Sequence, residues 1–167
     1  NIVVTDEGFD DPVTGVANVG AAHLFSPTGA LISTLRGSTV NDAVARKLIV
    51  LANGNYLVSS PVWGSLNQGA VTFCRADVGC EGVVSAANSL VGSQNGDIVG
   101  SESRIFPLTN GNYIVVSSAW DNGTIFNAGA VTWGSGISGI SGPVSIANSL
   151  VGSTANDAIG NGEVLTL

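Results

Sequence analysis

The chain has 167 residues, enough for one domain with a real core, and is 44% apolar but only 10% charged. Five basic residues against twelve acidic ones leave a net charge of −7, and the basic residues are scattered rather than clustered. Phosphate backbones and anionic membrane surfaces need clustered Lys and Arg, so nucleic-acid binding and membrane-surface binding are excluded as expectations. No run approaches the roughly 18 apolar residues of a membrane-crossing helix, so membrane insertion is not expected either.

Polar character must come from Ser, Thr, Asn and the 23 Gly, a mixture that favours short strands and turns over helices. The chain opens on Asn1-Ile2-Val3-Val4, the first of three related strand openings. The others are Asn55-Tyr56-Leu57-Val58 and Asn112-Tyr113-Ile114-Val115. The second and third follow an Asn-Gly turn, in Leu51-Ala52-Asn53-Gly54 and Leu108-Thr109-Asn110-Gly111. Asn-Gly accepts positive φ at both central turn positions, so each phrase predicts a tight hairpin. The sequence Val164-Leu165-Thr166-Leu167 matches the segment before that turn. The ends therefore read as two halves of a third hairpin, cut inside it.

Beyond these openings, Phe9, Trp63 and Trp120 each fall seven residues after Ile2, Tyr56 and Tyr113. Next comes Gly20-Ala21-Ala22-His23-Leu24, recurring as Gly69-Ala70-Val71-Thr72-Phe73 and Gly129-Ala130-Val131-Thr132-Trp133. Leu35, Leu90 and Leu150 then precede Asp42, Asp97 and Asp157 by seven residues. Ala87 to Ser93 is identical to Ala147 to Ser153. This is a tandem repeat with a period of 49 to 60 residues, its units near 1–51, 52–108 and 109–167. In the last unit four strands are expected near 105–108, 112–118, 128–133 and 142–147. Tyr113 to Val116 is continuously apolar, as in a strand buried on both faces.

Four strands per unit predicts an all-β, β-propeller-like fold of three four-stranded units, with a three-fold β-prism or β-trefoil as the alternative. Three blades do not close a ring, so self-association is expected, as a closed ring or as a filament. Its residues are Asn1, Ile2, Val3 and Val4 on one border, and Val164, Leu165 and Leu167 on the other. The absence of Met and the Asn at position 1 read as a processed product or a piece of a longer array.

The candidate sites are few. Cys74 and Cys80 have five residues between them, and the matching stretch of the next unit is the glycine-rich loop Gly134 to Ile140; a loop of this kind brings its ends within reach, so a disulfide is expected. Two thiols and a distant His23 make no zinc site. Asp6, Asp10 and Asp121 are loop acids and candidate calcium ligands, though without the alternation of a calcium loop. The recurring Asp42, Asp97 and Asp157 read as turn residues that accept backbone N–H groups. Trp63 and Trp120 are candidate sugar-stacking residues, or pack between blades. No nucleophile elbow Gly-x-Ser-x-Gly occurs and His23, the one histidine, has no catalytic partner, which leaves a carboxylate pair drawn from Glu81, Glu102 and Glu163 as the remaining hydrolytic alternative. The chain is therefore read as non-enzymatic, with no cofactor beyond candidate calcium; a carbohydrate-binding lectin is the alternative.

The stretch Gly20 to Gly29, with Leu31, Leu35 and Tyr56 to Pro61, resembles the FG-GAP repeat of integrin-α-type propellers. The Asn-Gly-Asn-Tyr, Gly-Ala-Val-Thr-Trp-Gly and Asn-Ser-Leu-Val-Gly-Ser phrases resemble a tandem repeat of large bacterial surface proteins, including haemagglutinin-like ones. The resemblance implies an extracellular or cell-surface setting and an adhesive or structural role, with a surface ligand or glycan as partner.

Overall fold

A computed structural model describes residues 1–101 and 104–165. It is all-β. The strands are β1 (Ile2–Asp6), β2 (Ala21–Phe25), β3 (Leu31–Arg36), β4 (Lys47–Val50), β5 (Tyr56–Ser60), β6 (Ala70–Cys74), β7 (Gly82–Val83), β8 (Ser89–Val91), β9 (Ile105–Pro107), β10 (Tyr113–Ser117), β11 (Ala130–Gly134), β12 (Gly142–Pro143) and β13 (Ser149–Val151). They form three sheets, ordered β1-β2-β3-β7, β4-β5-β6-β8-β12 and β9-β10-β11-β13. Neighbours in each sheet are antiparallel except β7 and β12, which join their sheets in parallel.

The sheets stack face to face, an arrangement consistent with propeller-like blades. One core lies between the first and second sheets and holds Ala22, Leu35, Tyr56, Val58, Ala70 and Cys74. The other lies between the second and third and holds Leu57, Val71, Leu90, Tyr113, Val115 and Ala130. Successive strand residues point to opposite faces. Tyr56 and Val58 therefore serve one core and Leu57 the other. This double burial is why the middle strands read as unbroken apolar runs.

Two expectations are corrected. The Asn-Gly hairpins use positive φ only at glycine, with Gly54 at 86° and Gly111 at 85°; Asn53 and Asn110 are not left-handed. Each turn instead closes with a bond from the Gly54 N–H to the Leu51 carbonyl and one from Leu51 to Asn55, with the Asn53 side chain accepting the Asn55 N–H. This is a turn followed by a glycine bulge, which suits a three-residue connection. The second correction concerns 142–147. Only Gly142–Pro143 is extended there, and it pairs with β8 of the preceding sheet; the strand that its own sheet uses is Ser149–Val151.

Candidate assembly surfaces

Each joint between sheets is built from the same three devices. The first is a backward-reaching strap. β7 leaves the second unit and lies beside β3, pairing Gly82 with Leu35 and Val83 with Arg36. β12 does the same on β8, pairing Gly142 with Leu90 and Pro143 with Val91. The second is an aspartate staple. Asp42 Oδ2 accepts the N–H groups of Ser38 and Thr39 at 2.8 Å, while Oδ1 accepts the Gly64 N–H of the next unit at 2.9 Å. Asp97 repeats this with Ser93, Gln94 and, across the joint, Asp121 at 3.0 Å. Burial of Asp97 raises its pKa above the usual carboxylate value, against the pull of these bonds. The third is an asparagine clamp. Asn1 Nδ2 donates to the Ala76 carbonyl at 2.8 Å, and Asn55 Nδ2 to the Gly136 carbonyl at the same distance. The recurring Asp and the Asn-Gly-Asn-Tyr phrase are thus structural.

Among the described residues the third sheet presents the same devices with no further sheet on the other side. β13 has the sequence of β8, yet no strap lies along it among the described residues. Leu35 and Leu90 are 0% exposed and Leu150, the same repeat position, is 68% exposed. Register puts Leu150 beside Val131 and Trp133 beside Ile114, so these four share the outer face. Asp157 still staples its own turn through Ser153 and Thr154, but among the described residues Oδ1 meets no donor across a joint.

The first sheet is open on the opposite side. Ile2 and Val4 are 59% and 46% exposed, while Tyr56, Val58, Tyr113 and Val115 at the same repeat positions are buried. β5 is flanked by β4 and β10 by β9, but β1 has no strand on its outer edge among the described residues. Beside that edge lies a cavity of about 330 Å³, lined by Asn1, Val3, Leu24, Leu48, Val50 and Tyr56. In the neighbouring joint the corresponding ground is held by Leu51 and Ile49, from β4 and the residue after it, both packed into the core.

Of the assembly residues expected from the sequence, Ile2, Val3 and Val4 form β1 with its open edge, and Asn1 clamps Ala76. Val164 and Leu165 are in no strand, and Leu167 lies outside the described residues. Cys74 and Cys80 form the expected disulfide. Trp120 is 4% exposed inside the second core, so it offers no face to a sugar, and Trp63 packs partly buried against the first core. Trp133, which the sequence marks only as a repeat position, is 52% exposed. Its position equals Phe73 and Leu24, both covered, and only the missing sheet exposes it.

Each calcium candidate has a local task. The carboxylates of Asp6, Asp10 and Asp121 accept the N–H groups of Gly8, Asn18 and Asn127. Among the described residues no group of three His, Cys, Asp or Glu could hold a metal ion. Asp11, buried under its loop, is held below the usual carboxylate range by the Val13 N–H, then the Thr14 hydroxyl and Arg36. His23 Nδ1 sits 2.9 Å from Thr34 Oγ1, where Thr72 and Thr132 face Ser89 and Ser149 in the other units. Glu81 and Glu163 are exposed and Glu102 lies outside the described residues.

These stacked, mutually strapped sheets define an all-β tandem-repeat protein. The model of the DUF5650 family, described as a repeat of unknown function, matches residues 50–101 and 107–161, and the chain belongs to that family. No curated protein matches the chain. The disulfide is compatible with a secreted or extracellular protein, and no helix among the described residues is long and apolar enough to cross a membrane.

Proposed function

We propose that this chain is a non-enzymatic, extracellular structural or adhesive module whose copies complete one another end to end, in a ring or a filament. The observation that carries the reading is the empty socket beside β1. It lies where β4 and Leu51 fill the next joint, and Val164-Leu165-Thr166-Leu167 has the sequence pattern of that missing strand. Addition of this segment from a second copy would supply backbone partners to β1 and put Leu165 into the socket. It would also bring the two uncovered apolar faces together. Likeness to FG-GAP, integrin-type propellers and to haemagglutinin-like surface repeats supports the adhesive part of the reading. A head-to-tail contact of this kind closes only if its rotation does; otherwise it propagates.

The test is the mass of the particle against concentration, by sedimentation or light scattering, for the full chain and for a chain ending at Gly162. Association that rises with concentration in the full chain and is lost on truncation is the expected result. A full chain that stays monomeric at every concentration, or association indifferent to the truncation, overturns the proposal.

A further inference from the structure

We infer that β13 is a docking edge for an extended Gly–x–Val segment, supplied by another repeat unit of this kind and added as a parallel strand beside Ser149–Val151. The inference goes beyond end-to-end joining, because among the described residues the edge is open in a single chain.

Two straps within the molecule define what the edge accepts. In each, glycine pairs with the leucine of the receiving strand and the following residue with the next position. Both glycines are left-handed, Gly82 at φ 90° and Gly142 at φ 100°, which a side-chain-bearing residue adopts only with strain. The middle position holds Val83 in one strap and Pro143 in the other, so its N–H is dispensable. The third residue is valine in both. Val84 N–H donates to the Arg36 carbonyl at 3.0 Å and Val144 N–H to the Val91 carbonyl at 2.9 Å. Both valine side chains are buried in the core of their joint. A binding segment thus needs a glycine, an extended residue of either kind, and a valine with a free N–H.

β13 repeats the Ser-Leu-Val of β8 and keeps the same partners on its inner side, with Val131 beside Leu150 as Val71 is beside Leu90. Its outer side offers the Val151 carbonyl in the role of Val91. Neither strap of the chain is available for it, since β7 and β12 are engaged on β3 and β8. An end-to-end neighbour does not supply one either. In the first unit a tight turn, closed by bonds from Ser26 to Ala30 and from Gly29 to Ser26, links β2 to β3 where the other units carry the strap. The edge therefore stays vacant when copies of this chain join, and only a strap-bearing unit fills it.

The test uses the full chain, isotopically labelled and dilute enough to be monomeric, titrated with a synthetic peptide of residues 138–147. Saturable shifts of the Leu150 and Val151 amides, with slowed hydrogen exchange at β13, are expected. Peptides carrying Gly142→Ala or Val144→Asp should bind at least ~10-fold more weakly. Absence of shifts at β13, shifts confined to the β1 edge, or equal binding of the Val144→Asp peptide overturns the inference. Because the readout is taken on monomer, it stands or falls separately from the mass measurement.

Discussion

Leu90 and Leu150 are the same residue at the same point of the repeat, yet cutting each back to alanine should have very different effects. Leu90 is wholly enclosed between the second and third sheets, beside Leu57, Val71 and Tyr113. Leu→Ala at such a site removes buried methyl groups and leaves a cavity, which costs about 3 kcal/mol. For a domain of this size that lowers Tm by about 6–12 °C. Leu150 is mostly in solvent, so the same change in the monomer should stay within about 0.5 kcal/mol, under about 2 °C. The assay is thermal unfolding of both variants in dilute solution, followed by the same scans at a concentration where the native chain associates. Leu150→Ala should fall behind the native chain only in the second series, since a partner that binds the folded state adds stability by mass action. A dilute Leu150→Ala variant as damaged as Leu90→Ala would mean that the third sheet is covered within the chain, and the account of its open face would be wrong.

Four further outcomes follow from the joints. Asp97→Ala should cost more than Asp157→Ala by about 1–3 kcal/mol in urea unfolding, because only Asp97 also holds an N–H across a joint. Gly142→Ala should lower stability by about 1–2 kcal/mol through its left-handed backbone alone, as nothing crowds the added methyl group. Tyr113, whose pKa burial pushes up to about 12, should stay un-ionised in an absorbance titration when an ordinary tyrosine, at 10.0, has ionised. Since the folded value lies above the unfolded one, its contribution is whole below pH 10.0 and is lost as pH rises towards about 12. Carboxyl NMR titration should place Asp11 below 3.8 and Asp97 above it. Asp11 then stabilises the fold above pH 3.8 and ceases to as pH falls through its lower folded value. Asp97 acts in the opposite sense, its folded form losing ground as pH climbs from 3.8 through its raised value.

What could be read from residues alone was whatever is local or periodic. The Asn-Gly phrases announce hairpins, the Asp seven residues after each leucine announces a stapled turn, and two cysteines closing a short loop announce a disulfide. The straps were hidden. Gly142 to Ala147 looks like an ordinary strand of its own unit, and nothing in it says that Gly142–Pro143 crosses to β8, some 50 residues back along the chain. Parallel pairing of this sort has no turn signal. Burial of the tryptophans was equally opaque: Trp120 lies within a joint and Trp133 on an uncovered face, a difference set by the presence of a neighbouring sheet rather than by the residues around either one. The clamp residues Asn1 and Asn55 stand out in the sequence only as the start of a motif, although their repetition is the available sign of a shared bond.

The backward reach of β7 and β12 has a consequence for how such a chain is made. Synthesis runs from the N-terminus, so each sheet emerges with one border still lacking its final strand. Closure of β3 waits for Gly82–Val83 to leave the ribosome, and closure of β8 waits for Gly142–Pro143. Maturation therefore trails elongation by a whole unit, and the youngest sheet is always the one most ready to seize a stranger's strand.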